Sequence, residues 1–135
     1  MCGVDRFRRL VAMRIVADPA SLDRIEAPEA GYLMRLAPDD LLVVPAPDRV
    51  EVADPYAIVE PEHGFSGAWF EVSELAMLQS VCEWEFPSER PALAQGHVAG
   101  VAVKMLFSGS GVMVVVPTVT LHHFRERLNL HGGRP

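Results

Sequence analysis

The side chains that could do chemistry are five histidines, two cysteines, a serine among glycines and two close pairs of glutamates. Neutral imidazole is the commonest transition-metal ligand, but the spacing of His63, His97, His122, His123 and His131 does not set up a shared metal. His122 and His123 are adjacent, so on a helix they point about 100° apart, unlike an i, i+4 pair. His63 and His97 sit singly beside glycines. Cys82 falls on a predicted apolar stripe between Leu78 and Phe86, where a thiol is buried and inert. Cys2 lies at the terminus, and no disulfide between the two is expected. Ser66, in Gly64-Phe65-Ser66-Gly67, lacks the Gly-x-Ser-x-Gly spacing of a hydrolase elbow and reads as a loop residue. Ser108-Gly109-Ser110-Gly111 would cradle a phosphate only if it opened a helix, and it leads into a strand. Glu60 and Glu62, like Glu83 and Glu85, are two apart. Such residues do not face each other on a helix, so they read as solvated charge rather than an acid and base pair. No Gly-x-Gly-x-x-Gly turn follows a strand, so no dinucleotide or flavin site is expected. Neither a catalytic residue nor a metal site is therefore expected in this chain.

The elements that position these residues centre on 98–130. Val101, Val103, Met105 and Phe107 alternate with smaller or polar residues, and Val112 to Val116 is nearly all valine, which predicts a hairpin turning through Ser108 to Gly111. Positive φ at its glycines is expected. After Pro117, the Thr118 hydroxyl is the expected N-cap of a helix to Leu130, with Leu121, Phe124 and Leu128 on its apolar stripe and Gly132-Gly133 as its stop. Upstream, Leu10 to Val16 reads as a strand, and Asp18-Pro19 caps a short helix to Ile25 that buries Leu22 and Ile25. Tyr32 to Leu36 and Leu41 to Val44 form a second hairpin around Ala37-Pro38-Asp39-Asp40. A proline-rich surface loop follows over 45–55, with a brief strand at Val50 to Val52. Ala57 to Val59 and Ala68 to Val72 are short strands flanking 63–67. Ser73 is the expected N-cap of a helix to Trp84, docked through Leu75, Leu78 and Cys82. A second stripe of that helix, Met77, Val81 and Trp84, is left over as a candidate interface with a protein partner. Trp69 is expected in the core, and Leu78, Cys82, Val103, Val114, Phe124 and Leu128 with it.

At 135 residues, half of them hydrophobic and 22% charged, the chain has the size and composition of one α+β domain spanning 1–135, with frayed ends at 1–8 and 131–135. Its formal charge of −6 comes from acidic residues spread along the chain, and no basic patch suits nucleic acid. Arg6, Arg8 and Arg9 precede a short apolar run that Arg14 and Asp18 interrupt, so no signal peptide is expected. No stretch is long enough to span a bilayer, and a cytoplasmic location is expected.

The run Phe70-Glu71-Val72-Ser73, with Leu75 to Cys82, Ala94 to Lys104, Val114-Val115-Val116-Pro117, Phe124 and Leu128, resembles the gamma subunit of heterotetrameric sarcosine oxidase. Leu36-Ala37-Pro38-Asp39-Asp40-Leu41-Leu42-Val43 looks like that family's leucine-proline-aspartate segment before a strand. The gamma subunit is similar in turn to the folate-binding lobe of the glycine-cleavage T-protein. The resemblance implies an antiparallel-rich mixed sheet with two or three packed helices. It also implies a non-catalytic accessory subunit of a flavin-dependent amine oxidase or demethylase acting on secondary amines. FAD, FMN, NAD and tetrahydrofolate would then sit in larger flavoprotein partner subunits, with no cofactor bound by this chain. Ser73-Glu74-Leu75-Ala76 replaces the family's Gly-x-x-Ala, and no acidic residue matches the pterin-binding position, so a scaffold is implied rather than a folate site. The alternatives are a free-standing tetrahydrofolate-binding one-carbon module and a homodimeric interaction domain without a small ligand.

Overall fold

The computed structural model describes residues 6–131, and their side chains as far as 129. It is an α+β fold built on two antiparallel sheets, one of five strands and one of four, with three helices. Length and composition lead to the expectation of one domain. The chain divides into two compact units, 10–63 and the remainder.

The unit formed by 10–63 holds the four-stranded sheet. Its strands are β2 (Ala12–Val16), β3 (Tyr32–Ala37), β4 (Asp40–Val44) and β5 (Ile58–Glu62), in the order β3-β4-β2-β5. Between β2 and β3 a helix forms where one is expected, but α1 (Pro19–Leu22) ends three residues short of Ile25, with Asp18 accepting from the Ser21 N–H and Pro19 at the first helical position, where its missing N–H costs nothing. One face of the sheet buries Ile15, Leu41 and Val43 with Leu22, and Ile25, Val50 and Val52 pack half-buried against them. The β3–β4 hairpin turns through Pro38-Asp39 as the sequence reads. Val50 to Val52 is not a strand; the two valines instead fold onto the core from an irregular loop.

The other unit holds the five-stranded sheet, order β1-β6-β9-β8-β7. Its strands are β1 (Arg8–Arg9), β6 (Phe65–Glu71), β7 (Ala92–Val98), β8 (Val101–Ser108) and β9 (Gly111–Pro117). The expected hairpin is thus one half of a three-stranded meander. Period-two alternation puts Val101, Val103, Met105 and Phe107 on one face with Val112, Val114 and Val116, and there they meet Leu78, Phe124 and Leu128 from α2 (Leu75–Ser80) and α3 (Leu121–His131). The expected core is therefore present, with Cys82 half-buried at its margin.

Several boundaries depart from the sequence reading. The strands expected at Ala57 to Val59 and Ala68 to Val72 run over Ile58–Glu62 and Phe65–Glu71, which puts Ser66 in a strand rather than a loop. β7 is a further strand that the sequence reading does not contain, because Ala92 to His97 alternates small and polar residues with little apolar signal. The helix expected over Ser73 to Trp84 is a single 3₁₀ turn, Val72–Glu74, followed by the six residues of α2. Ser73 is not its cap; Glu71 and Glu74 close a reciprocal capping box instead. Likewise Thr118 opens a 3₁₀ turn ahead of α3, and its hydroxyl is spent on Ser66 rather than on a cap. The glycine stop at 132–133 lies outside the described residues. Finally, residues 6–8 are not loose: Phe7 is buried, and Arg8 pairs with Gly67 in the sheet.

The turn between β7 and β8 is Ala99-Gly100, and both residues have positive φ, +52° and +79°. Two consecutive left-handed residues are the signature of a type I′ turn, whose twist matches the strands it joins. Gly100 adopts this freely, whereas Ala99 sets its Cβ against its own carbonyl. Ala99→Gly is expected to stabilise the chain by about 1 kcal/mol in chemical denaturation, with no change in the denaturant slope.

Candidate functional site

Most of the side chains singled out for reactivity turn out to be committed to the scaffold. Ser66 is buried, and its hydroxyl shares a 2.8 Å hydrogen bond with that of Thr118, fastening β6 to the start of the last helical segment. The Cys82 thiol donates to the Trp84 carbonyl at 3.3 Å, and burial pushes its pKa up, the opposite of what a nucleophilic thiol needs. Glu62 lies on β5, 3.8 Å from the Arg14 guanidinium, and Arg14 also forks onto both oxygens of Asp40. Glu60 and Glu62 therefore share a face of a strand, not a helix. Glu83 and Glu85 are exposed beyond the end of α2. Ser108 to Gly111 is the hairpin turn.

The described histidine side chains are dispersed. His63 and His97 are exposed on different units, while His122 and His123 stand side by side on the outer face of α3. Among the described residues no three His, Cys, Asp or Glu side chains converge to hold a metal. No described helix is long and apolar enough to cross a membrane. The side chain of His131 lies outside the description. The Tyr32 hydroxyl, in the four-stranded unit, is buried without a hydrogen-bond partner, and burial pushes it up to about 12, so the phenol stays neutral.

The candidate interface residues Met77, Val81 and Trp84 do not form a helical stripe, because α2 ends at Ser80. Met77 is half-buried against the core of its unit. The Val81 carbonyl accepts the Ala99 N–H at 2.8 Å. Trp84 donates its indole N–H to the His97 carbonyl at 2.8 Å and packs edge-on against Phe86. Each of the three therefore has a claim within its own unit that helical spacing could not reveal. Val81 and Trp84 also line a cleft of about 400 Å³ with His97, Ala99 and Gly100. Glu83 and Gly96 complete its lining. Trp69, expected in the core, is half-buried, and its ring lies on the opposite side of β6 from Phe70.

Sequence reasoning missed the arginine that ties down the N-terminal end of the described chain. Arg6 donates to both oxygens of Glu74 at 2.8 Å and to the Trp69 carbonyl at 2.7 Å, and its guanidinium lies over the Phe70 ring. These bonds, chiefly the pair from Arg6 and then the Glu71 N–H, hold the Glu74 carboxyl below its ordinary value of 4.5. A depressed carboxylate adds stability that is complete above its unfolded pKa and is lost as pH falls through the folded one. Wild type and Glu74→Gln are therefore expected to differ in stability at neutral pH and to converge as pH drops below 4.5, which urea titrations at several pH values will read.

No protein-family model matches this sequence, and no curated protein matches it significantly.

Proposed function

We propose that this chain is a non-catalytic, gamma-like accessory subunit of a flavin-dependent amine oxidase or demethylase complex of the sarcosine oxidase type. The observation that supports this reading is how the side chains able to react are used. Ser66, Cys82, Glu62 and Glu74 are all engaged in holding turns and strands together. A residue engaged in this way stabilises a scaffold and is poorly placed to meet a substrate. The resemblance of 31–128 to the gamma subunit supplies the kind of assembly. In this reading FAD, FMN, NAD and tetrahydrofolate belong to the larger flavoprotein subunits, and this chain contributes binding surface.

Affinity purification of the tagged full chain from its native host tests the reading. Recovery of a flavin-containing partner in fixed stoichiometry is the expected result. If the chain comes back alone and tetrahydrofolate binds it saturably, the accessory role gives way to a one-carbon carrier module. A ligand-free dimer in sedimentation would replace it with a homodimeric interaction domain.

A further inference from the structure

We propose that β5 is a docking edge for an extended, lysine- or arginine-bearing segment of a partner protein, which joins the four-stranded sheet as an additional strand. The inference specifies the partner surface of the accessory subunit and so rests on that reading.

Among the described residues β5 closes its sheet, with β2 on one side and no strand on the other. Pro61 is paired with Met13 in the ladder. Proline has no N–H to give, so this pair must be the kind that exchanges no hydrogen bonds. The alternation then fixes the rest of the strand: Ile58, Glu60 and Glu62 bond inwards to Val16, Arg14 and Ala12, while the N–H and C=O of Val59 and the C=O of Pro61 point away from the sheet. Those three groups form a short template with one donor and two acceptors. Around it the side chains are apolar and open to solvent, with Tyr56 88%, Ile58 53% and Val59 41% exposed. Extended segments recognise such an edge through main-chain bonds and read alternate side chains for specificity.

Charge identifies the occupant. The unit 10–63 carries eleven acidic side chains against four basic ones, whereas the rest of the chain has seven against eight. The chain's acidity is therefore not spread evenly, as it first reads, but gathered in the unit that owns this edge. Glu60 lies exposed on the strand itself. A second copy of the chain is a poor fit. Antiparallel self-pairing about Val59 would set the Pro61 carbonyl against the Ala57 N–H of the other copy, which is already given to Asp54. It would also bring two strongly acidic units together, at a cost in repulsion. A basic strand meets neither obstacle.

The test uses the full chain and a fluorescent, end-blocked heptapeptide of alternating lysine and valine. Saturable binding that weakens with added salt is expected. Val59→Pro removes the outward N–H and leaves every inward bond of β5 in place, so it should keep the native melting transition and weaken binding by about tenfold or more. Glu60→Lys, which leaves main-chain pairing untouched, should weaken the lysine peptide and strengthen one with glutamates at the lysine positions. Loss of peptide affinity in both variants supports the edge. Absence of binding, or equal binding by wild type and folded Val59→Pro, overturns it, as does a wild-type dimer that Val59→Pro dissociates. Should Val59→Pro fail to fold, the charge reversal at Glu60 decides alone. Peptide binding without a flavoprotein in the affinity purification would sink the assembly reading and leave the edge standing. The converse, a flavoprotein recovered equally by wild type and Val59→Pro, would sink the edge alone.

Discussion

Phe124→Ala is expected to lower the stability of the chain by about 3 to 5 kcal/mol, the range for removing an aromatic ring from a closed core. Phe124 has no exposed surface, and its ring meets Phe7 edge-on at a centroid distance of 5.8 Å. On its stripe of α3 it is the residue between Leu121 and Leu128, and it seats the helix on the sheet face formed by β6, β8 and β9. Relaxation is limited because strands flank the hole on one side and Phe7 closes another. Equilibrium denaturation with an unchanged slope would read the loss cleanly. A value below about 1 kcal/mol would mean that the ring is not in the core and that α3 is oriented differently.

Phe7 also shows where the sequence stops being legible. It stands among Arg6, Arg8 and Arg9, and that cluster reads as a charged, frayed end. In the fold the same alternation is informative: Arg8 and Arg9 pair with the edge of β6, Phe7 turns inwards, and Arg6 clamps Glu74. Two residues are too few for a period to be counted, so only the tertiary partner distinguishes a strand end from a tail. The long elements were legible for the opposite reason. Val101 to Phe107 and Leu121 to Leu128 hold their period over at least two turns or pleats, and the structure puts their apolar faces together.

The helix at 75–80 fell between these cases. Leu75, Leu78 and Cys82 keep helical spacing, yet the chain leaves the helix at Val81, whose carbonyl is taken by the Ala99 turn. A spacing of three or four residues is satisfied as well by a helix followed by a compact loop, provided the loop stays over the same core. Trp84, read as the end of a helical stripe, reaches its place by an indole bond to the His97 carbonyl on a strand that was itself unforeseen. The docking edge was legible only in part. The proline and the glutamates of β5 are visible in sequence, but which of its groups face outwards depends on the Met13 pairing.

Gly111→Ala is expected to cost about 3 kcal/mol, the upper end for overpacking an interior, although the residue stands in what reads as a permissive turn. The glycines of Ser108 to Gly111 suggest positive φ, but among the described glycines only Gly100 has it. Gly111 is needed for a different reason, which is space. A Cβ there would stand 2.2 Å from the Phe70 carbonyl oxygen and 2.7 Å from the Trp69 ring. The ring could turn aside, but the carbonyl belongs to β6, whose register with β9 runs from Phe65 opposite Pro117 to Glu71 opposite Gly111. Relief therefore requires the end of that ladder to open, taking Val112 and Phe70 partly out of the core they share. Gly109 has no atom within 4 Å of its own would-be Cβ, so Gly109→Ala serves as the matched control in the same turn. Thermal melts should show Gly111→Ala strongly destabilised and Gly109→Ala within about 0.5 kcal/mol of wild type. Equal losses at both positions would point to turn conformation as the cause, and a small loss at Gly111 alone would mean that β6 and β9 approach less closely than this packing requires.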